Sequence, residues 1–175
     1  MAQLGAILGR EFSWELLAAV SPFDPATLQH ALDRLVEAEL LYQRGQPPQA
    51  TYVFKHALIQ DEAYQSLLRS TRQQHHQRVA QVLEERFPAV GQGHPEIAAH
   101  HYTQAGLAAR AIPYWQRAGE NAARRSASLE AIAHFTQAIA LVPALPEGQE
   151  RVRQELGLQI ALGGGAVWLA WLRGA

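Results

Sequence analysis

Two hydrophobic periods alternate along the first 56 residues. Leu28, Ala31, Leu32, Leu35 and Val36 recur at helical spacing and give one apolar face. Asp24 supplies the N-cap of that helix and Pro25 its first helical residue, where a missing N–H leaves no bond unmade. Upstream, Ser13 is the N-cap of a shorter helix over Trp14–Val20, with Phe12 just outside it. Ser21-Pro22-Phe23 breaks that helix. Downstream, the short apolar runs Leu40-Leu41-Tyr42 and Thr51-Tyr52-Val53-Phe54 flank Arg44-Gly45-Gln46-Pro47-Pro48. A Gly/Pro turn between two such runs predicts a β-hairpin.

Two or three helices followed by a hairpin is the pattern of a winged helix, and it assigns residues 1–56 to one small domain. Over 57–88, Ala57, Leu58, Tyr64, Leu67, Leu68, Thr71, His75, Val79, Val82, Leu83 and Phe87 form a stripe that predicts a long helical stretch. Ser70-Thr71-Arg72-Gln73 has the form of a capping box, so a bend is expected near Ser70. Pro88 ends the stretch, and Gly91-Gln92-Gly93-His94-Pro95 reads as a loop. Residues 57–94 are thus connecting helices and a linker.

Residues 95–175 carry a longer period. Trp115, Ala118, Gly119, Ala131, Phe135, Ala138 and Pro143 fall on the signature positions of a tetratricopeptide repeat, a helical hairpin of about 34 residues. Only Ala122 departs, where Tyr is usual. Small residues let two antiparallel helices approach, large ones fill the gaps, and Pro stops the second helix. Tyr102, Ala111 and Ala118 fit the same pattern one repeat earlier, and 147–162 begins a further hairpin. The array is short and its last repeat truncated, so a fragment of a longer protein, or a shifted reading frame, is expected. The expected fold is all-α: a winged helix with a small β-hairpin, then antiparallel helical hairpins of the tetratricopeptide kind.

Composition agrees with helices. Ala, Leu and Gln supply 71 of 175 residues, and Val, Ile and Thr only 21. The net charge of −1 excludes a broadly basic nucleic-acid binder. The absence of cysteine excludes disulfides, thiolate metal sites and thiol catalysis, and fits a reducing, cytoplasmic setting. The start lacks a basic region followed by an apolar one, so no signal peptide is expected. The apolar run 156–172 lies at the short end of the range for a membrane span, and its glycines weaken it as a helix.

No enzyme signature emerges. The single lysine, Lys55, has no Gly-rich loop before it, so there is no P-loop. Asp24, Asp33 and Asp61 are isolated, and Glu84 and Glu85 diverge as helix neighbours. His75-His76 and His100-His101 are adjacent pairs that point about 100° apart on a helix, so no metal ligand set forms, and His75 and His101 read as packing or capping residues. The helix over 25–39, counted with its cap, carries Asp24, Asp33, Glu37 and Glu39 against Arg34, the wrong sign for phosphate. The wing offers only Arg44, with Lys55 further along.

Several blocks in order resemble one family. They are Leu8-Gly9-Arg10-Glu11-Phe12, Tyr52-Val53-Phe54-Lys55-His56-Ala57-Leu58-Ile59-Gln60, Ala63-Tyr64-Gln65-Ser66-Leu67-Leu68, Arg72-Gln73-Gln74-His75-His76, Ala99-His100-His101-Tyr102, Tyr114-Trp115-Gln116-Arg117-Ala118-Gly119 and Arg125-Ser126-Ala127. The chain resembles the winged-helix and repeat portion of bacterial STAND signalling ATPases, often fused to a class III adenylate or guanylate cyclase or to a protein kinase domain. Beyond residue 163, Gly164-Gly165-Ala166-Val167-Trp168 departs from that pattern.

The resemblance implies a non-catalytic regulatory segment without a cofactor. Its partner is another protein or a neighbouring ATPase domain, and no metal, nucleic acid or membrane is expected. It also implies a nucleotide-sensing role for His56, since Phe54-Lys55-His56-Ala57-Leu58 resembles the family's Met-His-Asp-like motif, with Ala57 in place of the acid. Tyr102, Trp115 and Phe135 are candidate anchors of a protein-binding groove, although their spacing fits core packing better. The alternative function is a winged-helix DNA-binding regulator.

Overall fold

The first helix, α1 (Ala2–Leu8), leads into a three-residue strand, β1 (Glu11–Ser13). Ser13 then caps α2 (Trp14–Val20), its Oγ accepting the Leu16 N–H at 3.2 Å. Asp24 caps α3 (Pro25–Glu37), accepting the Ala26 and Thr27 N–H groups at 3.0 Å each, with Pro25 in the first turn. The hairpin is completed by β2 (Leu41–Arg44) and β3 (Thr51–Phe54). The computed structural model describes residues 1–174, with side chains through Gly163.

The sheet is antiparallel in the order β1-β3-β2, with Phe12 opposite Tyr52 and Tyr42 opposite Val53. The strand β1 is not legible in the sequence, because three residues are too few to display an alternation. Its central side chain explains it: Phe12 is buried and stacks on Tyr52 with ring centroids 5.9 Å apart. The same ring also presses on α1. A Cβ added at Gly5 would lie 2.8 Å from Phe12 ring carbons, so only glycine fits there.

The stretch 57–88 breaks into two helices, as expected, but ahead of Ser70. It forms α4 (Ala57–Gln65) and α5 (Arg69–Arg86), and the break spans Ser66, Leu67 and Leu68. Ser70 lies inside α5 and starts nothing. The Ser66 hydroxyl donates to the Ala63 carbonyl at 2.7 Å, and the Leu68 carbonyl accepts the first α5 bond from Arg72 at 2.9 Å. Three non-helical residues reset the helical phase, so one continuous stripe cannot run through both helices. Leu58 and Leu68 are accordingly 75 % exposed each, and on α5 the fully buried histidine is His76, with Val79, Ala80 and Leu83, in place of His75.

The expected loop at 91–95 is helical as well. Proline in the first turn starts both α6 (Pro88–Gly93) and α7 (Pro95–Gln104), where its fixed φ suits a helix. Then come α8 (Ala108–Arg124), α9 (Ser128–Leu141), a single 3₁₀ turn at Val142–Ala144, and α10 (Gln149–Gly174). The chain divides into two compact units, Met1–Val82 and Leu83–Ala175. The expected connecting segment 57–94 is shared between them. Among the described residues no helix is long and apolar enough to cross a membrane. The expectations about residues 164–175, including most of the apolar run 156–172, lie outside the residues whose side chains are described.

In the second unit, α7 packs on α8, α8 on α9 and α9 on α10. Tight turns reverse the chain. After α7, Gly106 takes φ 76°, its N–H reaches Thr103 at 3.0 Å and the Leu107 N–H reaches Tyr102 at 3.0 Å. After α8, Ser126 takes φ 59°, its N–H reaches Ala123 at 3.0 Å and the Ala127 N–H reaches Ala122 at 3.0 Å. Both are Schellman motifs that satisfy the last helical carbonyls. The α8–α9 contact rests on one close approach: a Cβ at Gly119 would lie 2.7 Å from Phe135 Cε1. Phe135 shares a buried cluster with Ile112, Ala122, Ala131, Ala138, Val142 and Leu158.

Gly119→Val is expected to lower stability by about 1–3 kcal/mol, because the ring is buried and cannot swing clear. Phe135→Leu in the same chain is expected to return part of that loss. A double-mutant cycle by thermal melting checks the coupling. Ser126→Gly is expected to raise stability by roughly 0.5–1 kcal/mol by removing a left-handed non-glycine residue, read by the same melting.

Candidate functional site

In the first unit, His56 occupies the N-cap position of α4, directly after β3. It is exposed, and its side chain makes no capping bond, so a local structural duty does not hold it there. Its neighbour Lys55 is engaged. The Nζ lies 3.4 Å from Glu39 Oε2 and 4.8 Å from the centre of the Tyr42 ring, with 17 % of the side chain exposed. On α3, Asp33, Glu37 and Arg34 face solvent, and Glu39 stands just past the helix with φ 59°. The lysine just after β3 is therefore already paired with an acid.

In the second unit, two of the three expected groove residues are interior. Tyr102 is 1 % exposed and Phe135 3 %. Small residues around them close the helices onto their rings, which leaves no face for a ligand. Trp115 is half-buried. Its Nε1 donates to Thr103 Oγ1 at 2.9 Å and its ring stacks on His134 at 5.4 Å. Trp115 packs against the cluster that contains Phe135, whereas Tyr102 belongs to the α7–α8 contact. The structure thus does not gather the three on one surface.

What it does gather is a polar network around Glu84, near the end of α5. Glu84 Oε2 accepts Arg110 Nη2 at 2.6 Å, and Glu84 Oε1 accepts the Tyr114 hydroxyl. Arg110 Nη2 also donates to the Tyr102 hydroxyl at 3.2 Å, and its guanidinium lies 5.2 Å from the centre of that ring. The two tyrosine rings are 5.7 Å apart. Burial alone would raise the Glu84 carboxyl, but hydrogen bonds from Tyr114 and Tyr102 and the charge of Arg110 outweigh it and hold the group below its ordinary range. Burial and the neighbouring carboxylate push Tyr102 and Tyr114 each up to about 12. In sequence, Glu84 reads as half of a diverging pair on a solvated face. No local signal marks it, because its partners lie 26 and 30 residues further on.

The histidine pairs have structural surroundings. His76 is buried with its Nε2 3.0 Å from the Tyr64 hydroxyl, and the His100 and His101 rings lie 5.5 Å apart, edge to face. Among the described residues no group of three or more His, Asp or Glu is placed to hold a metal ion.

Similarity to known proteins is narrow. The chain is 32 % identical over 171 residues to an uncharacterized protein of Rhizobium meliloti (strain 1021). The match covers 93 % of this chain but only 16 % of that protein, so the chain spans a small part of the relative's length. No protein-family model matches the chain, and no solved structure matches it.

The network makes the stability of the second unit depend on pH at both ends of the scale. Glu84 titrates lower in the folded chain than its ordinary 4.5, so its contribution is complete above that pH and is lost as pH falls through the folded value. The two tyrosines titrate higher folded than unfolded, so stability also falls as pH rises from 10 towards 12. Absorbance of tyrosinate against pH is expected to show a late-titrating pair among the five tyrosines. Glu84→Gln is expected to move that pair down towards the ordinary 10 by removing the neighbouring negative charge.

Proposed function

We propose that the chain is a non-catalytic regulatory segment of a STAND-type signalling ATPase of the kind linked to adenylate cyclases. In this reading the first unit is a winged helix, and the second is the start of a tetratricopeptide-like array. The array binds a protein partner or a neighbouring domain. The winged helix couples that event to a P-loop ATPase whose motif this sequence does not contain. Such a segment needs no cofactor and suits a cytoplasmic setting.

One observation carries the reading. The order α1-β1-α2-α3-β2-β3 with sheet order β1-β3-β2 suits a winged helix, and it is followed in the same chain by helical hairpins closed on small residues, as a tetratricopeptide-like array would be. A relative of which this chain matches 16 % is in keeping with a segment of a large multidomain protein. The acid-rich exterior of α3, with Lys55 tied to Glu39, favours protein contact over phosphate contact. His56 is exposed at a strand–helix junction with no capping duty, which suits a residue that reads a nucleotide on another domain. An imidazole-to-phosphate bond would hold the closed form until exchange.

Two measurements test this. Fluorescence anisotropy of labelled duplex DNA at low salt is expected to show no saturable binding by the 175-residue chain. Saturable binding that weakens with salt and with Arg34→Ala would favour the DNA-binding regulator instead. In a longer protein that carries both the ATPase and this segment, His56→Ala is expected to speed ADP release without moving the melting temperature. Unchanged ADP retention would remove the sensing role.

A further inference from the structure

Arg110, Arg117 and Arg124 recur every seven residues along α8. Seven residues fall about 20° short of two full turns, so the three side chains line one flank of the helix, each about 10 Å from the next. The residues between them repeat as well. Tyr114 stands four residues after Arg110, and Asn121 four after Arg117, one turn along the same flank. The flank therefore carries one donor pattern twice, an arginine followed by a side chain that donates a hydrogen bond, and it ends on Arg124.

The first pair is occupied. Arg110 and the Tyr114 hydroxyl each donate to one oxygen of the Glu84 carboxylate. The second pair has no acid. Arg117 and Arg124 are exposed, and among the described residues neither forms an ion pair. Arg117 lies over the Tyr114 ring, 5.4 Å from its centre, which holds the guanidinium on the flank without neutralising it. Arg124 Nη2 donates to Asn121 Oδ1, and Asn121 Nδ2 donates to the Gln92 carbonyl at 3.3 Å, which leaves one amide N–H over. The acid of α8 itself, Glu120, accepts Gln116 Nε2 one turn back at 2.9 Å.

This donor set selects its ligand. Guanidinium and amide N–H groups on one flank accept an anion with more than one oxygen. Glu84 shows that a carboxylate seats on the same spacing seven residues earlier. A nucleic-acid backbone is a poor match, because it needs a broad positive surface, and Glu120 lies within one turn of both arginines.

We infer that Arg117, Asn121 and Arg124 form a docking site for an acidic segment of a partner protein, whose carboxylates take at the second pair the place that Glu84 takes at the first. This rests on the reading that the second unit makes protein contacts, and it names the chemistry of the partner.

The test uses the 175-residue chain and a short fluorescein-labelled oligo-glutamate, followed by anisotropy at low salt, with labelled oligo-serine as the neutral control. Saturable binding of the oligo-glutamate alone is expected. Arg117→Gln with Arg124→Gln is expected to weaken it about tenfold or more, as the loss of charge-assisted hydrogen bonds implies. Arg34→Gln, in the first unit, is expected to leave it unchanged. Glu120→Gln is expected to tighten it about twofold by removing a competing carboxylate. All four positions are exposed, so the variants are expected to melt as the parent chain does. The inference is overturned by no saturable binding at millimolar chain, or by binding that the double substitution leaves intact. If labelled duplex DNA binds instead and the double substitution abolishes that binding, the stripe is a phosphate site and the protein-contact reading falls with it. If neither probe binds, the acidic partner alone is ruled out.

Discussion

The second unit depends on one steric condition, the seating of the Phe135 ring against the bare Cα of Gly119. It fixes how near α8 and α9 can come. Once they are that near, Ala118, Ala122, Ala131 and Ala138 are the side chains that fit the gap, and each is at most 2 % exposed. The same ring shares its cluster with Leu158 of α10, so one aromatic side chain sets the spacing of three helices. A similar device operates in the first unit, where Phe12 lies against both Gly5 and Tyr52. In both units a large ring needs a missing Cβ opposite it. Close-packed interiors leave no slack for either to change alone.

Packing of this kind requires helices that stop at the right residue. The chain meets the requirement three times with a left-handed residue, after α3, α7 and α8. The residues are Glu39, Gly106 and Ser126. Only one of the three is glycine, so the next element in the chain imposes the geometry as much as local preference does. Glu39 also forms an ion pair with Lys55. At Ser126 the short Arg125-Ser126-Ala127 link leaves few other ways to reverse the chain before α9.

Much of this is legible in the sequence, and the remainder is hidden for physical reasons. The caps at Ser13 and Asp24 are local chemistry, and they stand where the residues place them. The buried positions of α8 and α9 follow from a repeating alternation of size, which survives in one dimension. The strand at Phe12 is hidden because its partner β3 lies some 40 residues on. The break at Ser66 is hidden because a hydroxyl turning back to Ala63 leaves no pattern, whereas Ser70 imitates a cap without acting as one. The candidate site divides in the same way. Aromatic residues suggest a groove, yet Tyr102 and Phe135 are core for the reason that makes them conspicuous: large rings among small neighbours. Glu84 escapes notice because a carboxylate on a helix looks solvated until its tyrosine and arginine partners arrive from another helix.

The Glu84 network also bears on how the helices of this unit keep their register. Apolar packing of alanine faces is nearly indifferent to a slide along the axis, since one small side chain resembles the next. A carboxylate that accepts from Arg110 on one oxygen and from Tyr114 on the other is not indifferent. Arg110 and Tyr114 stand one turn apart on α8, so a slide of half a turn would misalign both donors and a slide of a full turn would leave at most one of them at the level of the carboxylate. The aromatic rings that carry two of the hydroxyls are themselves packed, Tyr102 against Tyr114. Polar and apolar contacts therefore divide the work: small residues set how close α7 and α8 come, and Glu84 sets where along its length α8 must sit.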